Sequence, residues 1–103
     1  MSIINLSKKF EKFSDHWALK VIAKMNDYQF KLVKVEGEFV WHSHEDTDEI
    51  FIVLNGEMAV VPRGVEHRPS AKKECQIMIV EPKNIVNTGG SSRRLTAEND
   101  VWI

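Results

Sequence analysis

The chain has 103 residues, 43% hydrophobic and 28% charged, with a formal net charge of -1. That size suits one small domain with a modest core, for which help from an oligomer interface is expected. The composition excludes a disordered chain, and the near-neutral charge leaves no basic footprint for nucleic acid.

The paired cations Lys8-Lys9, Lys72-Lys73 and Arg93-Arg94 are scattered and read as solvated faces. Cys75 is the single cysteine, so no intrachain disulfide can form. It sits in an apolar strand pattern and reads as a buried, inert thiol. The N-terminus lacks a signal-peptide core, and no apolar run reaches membrane-spanning length. The expectation is a cytoplasmic protein that engages neither membrane nor nucleic acid.

Near the N-terminus, Ser7 can cap a short amphipathic helix carrying Phe10 and Phe13. Trp17 to Ala23 reads as a strand and Asn26-Asp27 as a turn. Tyr28 to Val35 alternates, with Tyr28, Phe30 and Leu32 apart from Gln29, Lys31 and Lys34. A turn at Glu36-Gly37 leads into a strand over Glu38 to His44. Alternation there sets Val40, His42 and His44 on one face and Phe39, Trp41 and Ser43 on the other. Glu49 to Leu54 is a strand with Glu49, Phe51 and Val53 on one face and Ile50, Ile52 and Leu54 on the other. Both faces are apolar apart from Glu49, so both call for a cover.

Asn55-Gly56 is a strong hairpin dipeptide. Met58 to Val61 is a short strand, Pro62-Arg63-Gly64 turns toward His67, and Cys75 to Val80 is another apolar strand closed by Glu81-Pro82. The core spans about residues 17–82. In the tail, 83–103, Gly89-Gly90-Ser91-Ser92 is flexible by composition and Val101-Trp102-Ile103 is an anchor. Short strands separated by regular turn signals give an all-β sandwich or barrel.

The chemistry concentrates in His42, His44, Glu49 and His67. A His-x-His pair on a strand points two imidazoles the same way, and Glu49 would be a costly buried carboxylate without a counter-charge. Three imidazoles and a carboxylate, with no thiolate nearby, suit Fe, Mn, Ni, Zn, Co or Cu as a divalent ion. Four protein ligands on a six-coordinate ion leave two positions for water, dioxygen or a chelating small molecule. Asp46 competes with Glu49 as a ligand. His16, beside Trp17, has no partner spacing and reads as structural or exposed. Glu57 and Glu66 lie near the cluster but read as exposed charges, so no catalytic acid or base stands out.

These residues resemble the cupin family. Gly37, four residues, His42-Ser43-His44, four residues, Glu49, six residues and Gly56 match the first cupin motif, with a spacer one residue short. Gly56, five residues, Pro62-Arg63-Gly64, two residues and His67 match the second, with Ala71 where an asparagine often stands. The resemblance covers about Tyr28 to Pro82. It implies a cupin-type jelly-roll barrel with His42, His44, Glu49 and His67 as ligands.

One departure is large. Gly56 serves both motifs, and the strand pair that usually separates them is absent. Either a segment near Leu54–Met58 is missing from this sequence, or the chain turns directly at Asn55-Gly56. The latter requires Leu54 and Met58 to lie within about 14 Å. The resemblance implies a metal-dependent protein acting on a small oxygen-rich ligand by dioxygenase or isomerase chemistry. The alternative is a non-catalytic sensor or sugar-binding module.

The expected pocket wall is Val40, Phe51 and Val53, joined by Met58 or Met78, with Arg63 either a surface turn residue or a contact for an anionic ligand. Ile50, Ile52, Leu54, Phe39 and Trp41 form an outward apolar patch. A homodimer is expected to cover it, unless the N-terminal strand or the Trp102 tail does.

Overall fold

The computed structural model describes residues 1–90 and 95–103; Ser91, Ser92, Arg93 and Arg94 lie outside them. The flexible tail stretch and the Arg93-Arg94 pair of the sequence reading therefore fall partly or wholly outside the described residues.

One antiparallel sheet organises the chain. Its strands are β1 (Lys20–Met25), β2 (Tyr28–Glu38), β3 (Glu49–Val53), β4 (Met58–Val61) and β5 (Ser70–Pro82), in the order β1-β2-β5-β3-β4. The N-terminal helix α1 covers Leu6–Phe10. Its cap is Asn5 rather than Ser7: the Asn5 side chain accepts from Lys8 N at 3.0 Å, while Ser7 is already inside the first turn. A helix this short is held by what it buries. Phe10 packs with Ile22 and Leu32, and Leu6, Phe13, Leu54, Met78 and Ile103 surround them.

The opposite sheet face buries Val33, Val35, Ile77 and Ile79, with Trp17, Leu19, Phe51 and Val53 against them. Residue alternation along β2 and β5 divides these two clusters, as period-two geometry requires. The sequence reading separated Gln29 and Lys31 from Phe30 and Leu32 correctly, but Lys34, which it grouped with them, lies on the helix side, its Nζ donating to Phe13 O. The polar pair, however, faces inward: Gln29 and Lys31 are both buried.

The predicted strand over Glu38 to His44 is not regular. A bulge falls between Val35 and Gly37, where Gly37 takes a φ of 80°, and β2 ends at Glu38. A left-handed residue in a bulge bends the strand and shifts its phase. Phe39 therefore turns inward beside His42, while Trp41 stays outward, 58% exposed, with Arg68 over its ring. Beyond the bulge this segment pairs with the one carrying His67. Phe39 N donates to Pro69 O, and His42 and His67 form an antiparallel bridge. This second short ladder lies against the inner face, with His67 edge-on to Phe51.

The chain turns directly at Asn55-Gly56, and Ile52 pairs with Met58 across the hairpin. β4 is therefore the sheet edge, and three of its four residues are exposed, Met58 at 63%. The other edge is covered: Val21 N donates to Val101 O and Ile103 N to Val21 O, so the C-terminal residues extend the sheet beside β1. The anchor expected at Val101-Trp102-Ile103 is thus in place. Cys75 is half-buried rather than buried, packed against the cluster of Val33, Val35, Ile77 and Ile79.

Candidate metal centre

Two of the four candidate ligands sit on the short ladder and a third, Glu49, opens β3. His42 N donates to His67 O at 3.0 Å and His67 N to His42 O at 2.8 Å, which brings the two rings to 4.2 Å between centroids. His44 lies two residues on, its ring 5.1 Å from that of His42. The turn before His67 is pinned to the loop after His44. Gly64 N donates to His44 O, and Arg63 N donates to Asp48 Oδ1 at 2.9 Å. Arg63 is thus a surface turn residue whose side chain sits 4.0 Å from Asp48, and Asp46 lies outside the cluster.

One ligand atom from each of His42, His44, Glu49 and His67 lies within 4.8 Å of the others. Ligands opposite one another on an ion with bonds of about 2.1 Å stand about 4.2 Å apart, so a small inward movement would close the set. His44 Nε2 is 3.4 Å from Glu49 Oε2, and His67 Nε2 is 3.3 Å from Glu49 Oε1. His44 Nε2, His67 Nε2 and Glu49 Oε1 are buried without a hydrogen-bond partner. Orphaned buried polar atoms that converge are costly unless something binds them.

The tautomers agree. His42 Nδ1 contacts Val40 O at 2.9 Å, and His67 Nδ1 contacts Val65 O at 2.9 Å. A carbonyl only accepts, so each Nδ1 carries the hydrogen and each Nε2 offers its lone pair. Burial lowers the pKa of His42 and His44, which keeps both rings neutral and ligating. Glu49 shows the opposite face of the same cost. Burial, then a hydrogen bond and charge repulsion from Glu81, push its carboxyl up to about 10, against a smaller pull downward from Lys31. Without a cation, burial beside Glu81 keeps Glu49 a protonated acid.

A cavity of about 30 Å³, room for one or two waters, opens on His42 and Glu49. Its wall is Trp17, Leu19, Val33, Phe39, Phe51, Pro69, Ile79 and Asn87. Of the expected wall residues only Phe51 lines it. Met78 faces the helix, Met58 faces solvent, and Val53 packs into the core beyond. Trp17 and Phe39 stack at 4.7 Å between ring centroids, a contact from 22 residues apart in sequence that no local pattern announces. Asn87 comes from the tail. Its Nδ2 donates to Trp17 O and Leu95 O, which ties the tail to the pocket rim. His16 is exposed and pairs with Glu74 at 3.2 Å.

No family model matches the chain. It is 32% identical over 79 aligned positions to uncharacterized protein YdbB of Bacillus subtilis (strain 168), taking in 60% of this chain and 70% of that one. A solved cupin-2 domain containing protein from Shewanella frigidimarina NCIMB 400 is similar at 57% identity and a TM-score of 0.77, over 79% of this chain and 95% of that one. Protein NMB1881 from Neisseria meningitidis is similar at 28% identity and a TM-score of 0.69, over 79% and 99%. With the cupin motif residues gathered at one point inside a β fold and this degree of likeness to a solved cupin-2 protein, the chain belongs to the cupin superfamily.

Proposed function

We propose that the protein holds one divalent transition metal through His42, His44, Glu49 and His67, and uses it to bind a small oxygen-bearing molecule with an apolar body. The observation that carries this is the convergence of three unpartnered buried ligand atoms, on His44, His67 and Glu49, in a cluster of which His42 and Glu49 line an apolar cavity. A bound divalent ion would supply a Lewis acid with open positions for a chelating ligand or dioxygen. The residues around it exclude water and orient the ligand: Phe39 and Phe51 offer flat walls, and Asn87 is the polar group on the rim. The small cavity favours a compact ligand, or one that displaces a side chain on entry.

Apart from His42 and Glu49, no residue lining the cavity is titratable. Isomerase chemistry needs a positioned acid or base, so metal-centred dioxygenase chemistry fits better. The same observation keeps a non-catalytic sensor as the second reading. The apolar wall argues against a sugar, which needs several polar partners.

The test is reconstitution with Fe(II), Mn, Co, Ni, Cu and Zn in turn, followed by dioxygen-uptake and binding assays on small carboxylates and phenols. Uptake coupled to loss of a compound supports the enzyme. Saturable binding without turnover for every metal supports the sensor.

We further propose a homodimer formed through β4. Met58 and Val60 are exposed on an unpaired edge strand without an internal charge, the kind of edge proteins otherwise blunt. Leu54 needs no second chain, because α1 and Ile103 pack around it.

A further inference from the structure

Beneath the four candidate ligands lies a second buried ionic group. Lys31 Nζ donates to Glu81 Oε1 at 2.8 Å, and the two residues are 2% and 1% exposed. Burying an ion pair is rarely a gain in stability over apolar residues of the same size. In a chain with a small core, such a pair calls for another reason.

Strand register supplies one. β3 and β5 pair Phe51 with Ile79 and Ile50 with Val80, so one step further Glu49 stands across from Glu81. β2 and β5 pair Lys31 with Ile79 and Gln29 with Glu81. Gln29, Glu81 and Glu49 thus form one row across three strands on the inner face, and Lys31 stands diagonally to Glu81. Like charges directly across a sheet repel. Here two buried carboxyl groups are neighbours, and one cation reaches only one of them. Glu81 Oε2 and Glu49 Oε1 are left without a donor. The row is balanced when Lys31 answers Glu81 and a second cation answers Glu49.

We propose that Lys31 and Glu81 are positioning residues of the metal centre: Lys31 holds Glu81 in place, and the Glu81 carboxylate, across the sheet from Glu49, repels the Glu49 carboxylate toward the ligand cluster. This rests on the metal-site reading above. Partners behind a ligand commonly change metal affinity by about 10–100-fold when removed. Lys31 and Glu81 lie outside the two cupin motifs and contribute no ligand atom to the cluster.

The test uses the full chain, stripped of metal and titrated with Co(II), reading both affinity and the visible absorption bands that report ligand geometry. Native protein that binds no Co(II) overturns the metal site and this proposal together. Given native binding, Glu81→Gln and Lys31→Met should each weaken it by about 10–100-fold.

Either single variant leaves a buried charge unpaired and can simply destabilise the fold. The double variant Lys31→Met/Glu81→Gln removes that charge. The proposal predicts a folded double variant with Co(II) affinity still lowered about 10-fold or more and with shifted bands. Native affinity and native bands in the double variant would overturn it, because a purely structural pair is relieved by neutral replacement. If the double variant fails to fold, Glu81→Asp decides. It keeps the charge and shortens the reach, so shifted bands support positioning and unchanged bands with native affinity overturn it.

Discussion

His42 and His67 bond to each other twice through their backbones and nowhere through their rings. The N–H of each donates to the carbonyl of the other, at 3.0 and 2.8 Å, while each ring's Nδ1 is tied to a carbonyl two residues back, Val40 or Val65. The ladder that places the two Nε2 atoms therefore does not depend on the imidazoles. His42→Ala and His67→Ala should each lower metal affinity by at least about 100-fold, while far-ultraviolet circular dichroism of the metal-free protein stays unchanged. Isothermal titration checks the first expectation, and unfolded single variants would contradict the second.

The raised Glu49 pKa sets a pH dependence with a definite sign. In the metal-free protein Glu49 is protonated up to about pH 10, against an ordinary value of 4.5 when unfolded. The folded state then binds the extra proton between those values, so stability falls as pH rises. His42 and His44 have lowered pKa values, so they cost stability only as pH drops below 6.5. From about pH 7.5 to 9 His42 and His44 are largely neutral in both states. The urea midpoint of the metal-free protein should therefore decline across this range, and the metal-bound protein should lose that decline. At pH 7.5 metal binding should release about one proton, from Glu49. Calorimetry in buffers of different ionisation enthalpy measures it, and zero release contradicts the account.

Gly89 ties the tail to the site. Its φ is 60°, and an added Cβ would run into Ser43 O, between the two histidines of the His-x-His pair. Gly89→Ala should destabilise the protein by about 1–3 kcal/mol, the usual cost of a left-handed non-glycine residue, with the clash in addition. It should also weaken metal binding, because the backbone that must move carries His42 and His44. Gly90, which also has a positive φ but has open space where a Cβ would go, is the control: Gly90→Ala should leave metal affinity unchanged.

The proposed dimer is tested at β4. Val60→Lys places a charge on the exposed edge and should convert a dimer to a monomer in solution scattering. A native protein that is monomeric at all concentrations would remove the proposal and leave the metal site untouched.

The cluster of candidate ligands was legible because a motif with fixed spacing sits on short extended segments, where period two and a proline-glycine turn set direction. The hairpin at Asn55-Gly56 was legible for the same local reason. The pocket wall was not. Phe39 was assigned outward because strict alternation was applied from Glu38 to His44, a segment that leaves regular strand geometry after Glu38. Trp17 and Asn87 reach the cavity through long-range packing, which leaves no periodic trace. Lys31 was only set on the face opposite Phe30 and Leu32, with no partner assigned to it. The available signal was Glu81, a lone carboxylate closing an apolar strand, which asked for a buried cation as its partner.

Metal content tests the central claim most directly. Protein purified without chelators or a histidine tag, reconstituted, desalted and analysed by elemental mass spectrometry should carry about one divalent transition metal per chain, and the His42→Ala/His67→Ala double variant should carry none. Native protein that retains no metal after reconstitution, or a double variant that retains as much as native, would contradict it.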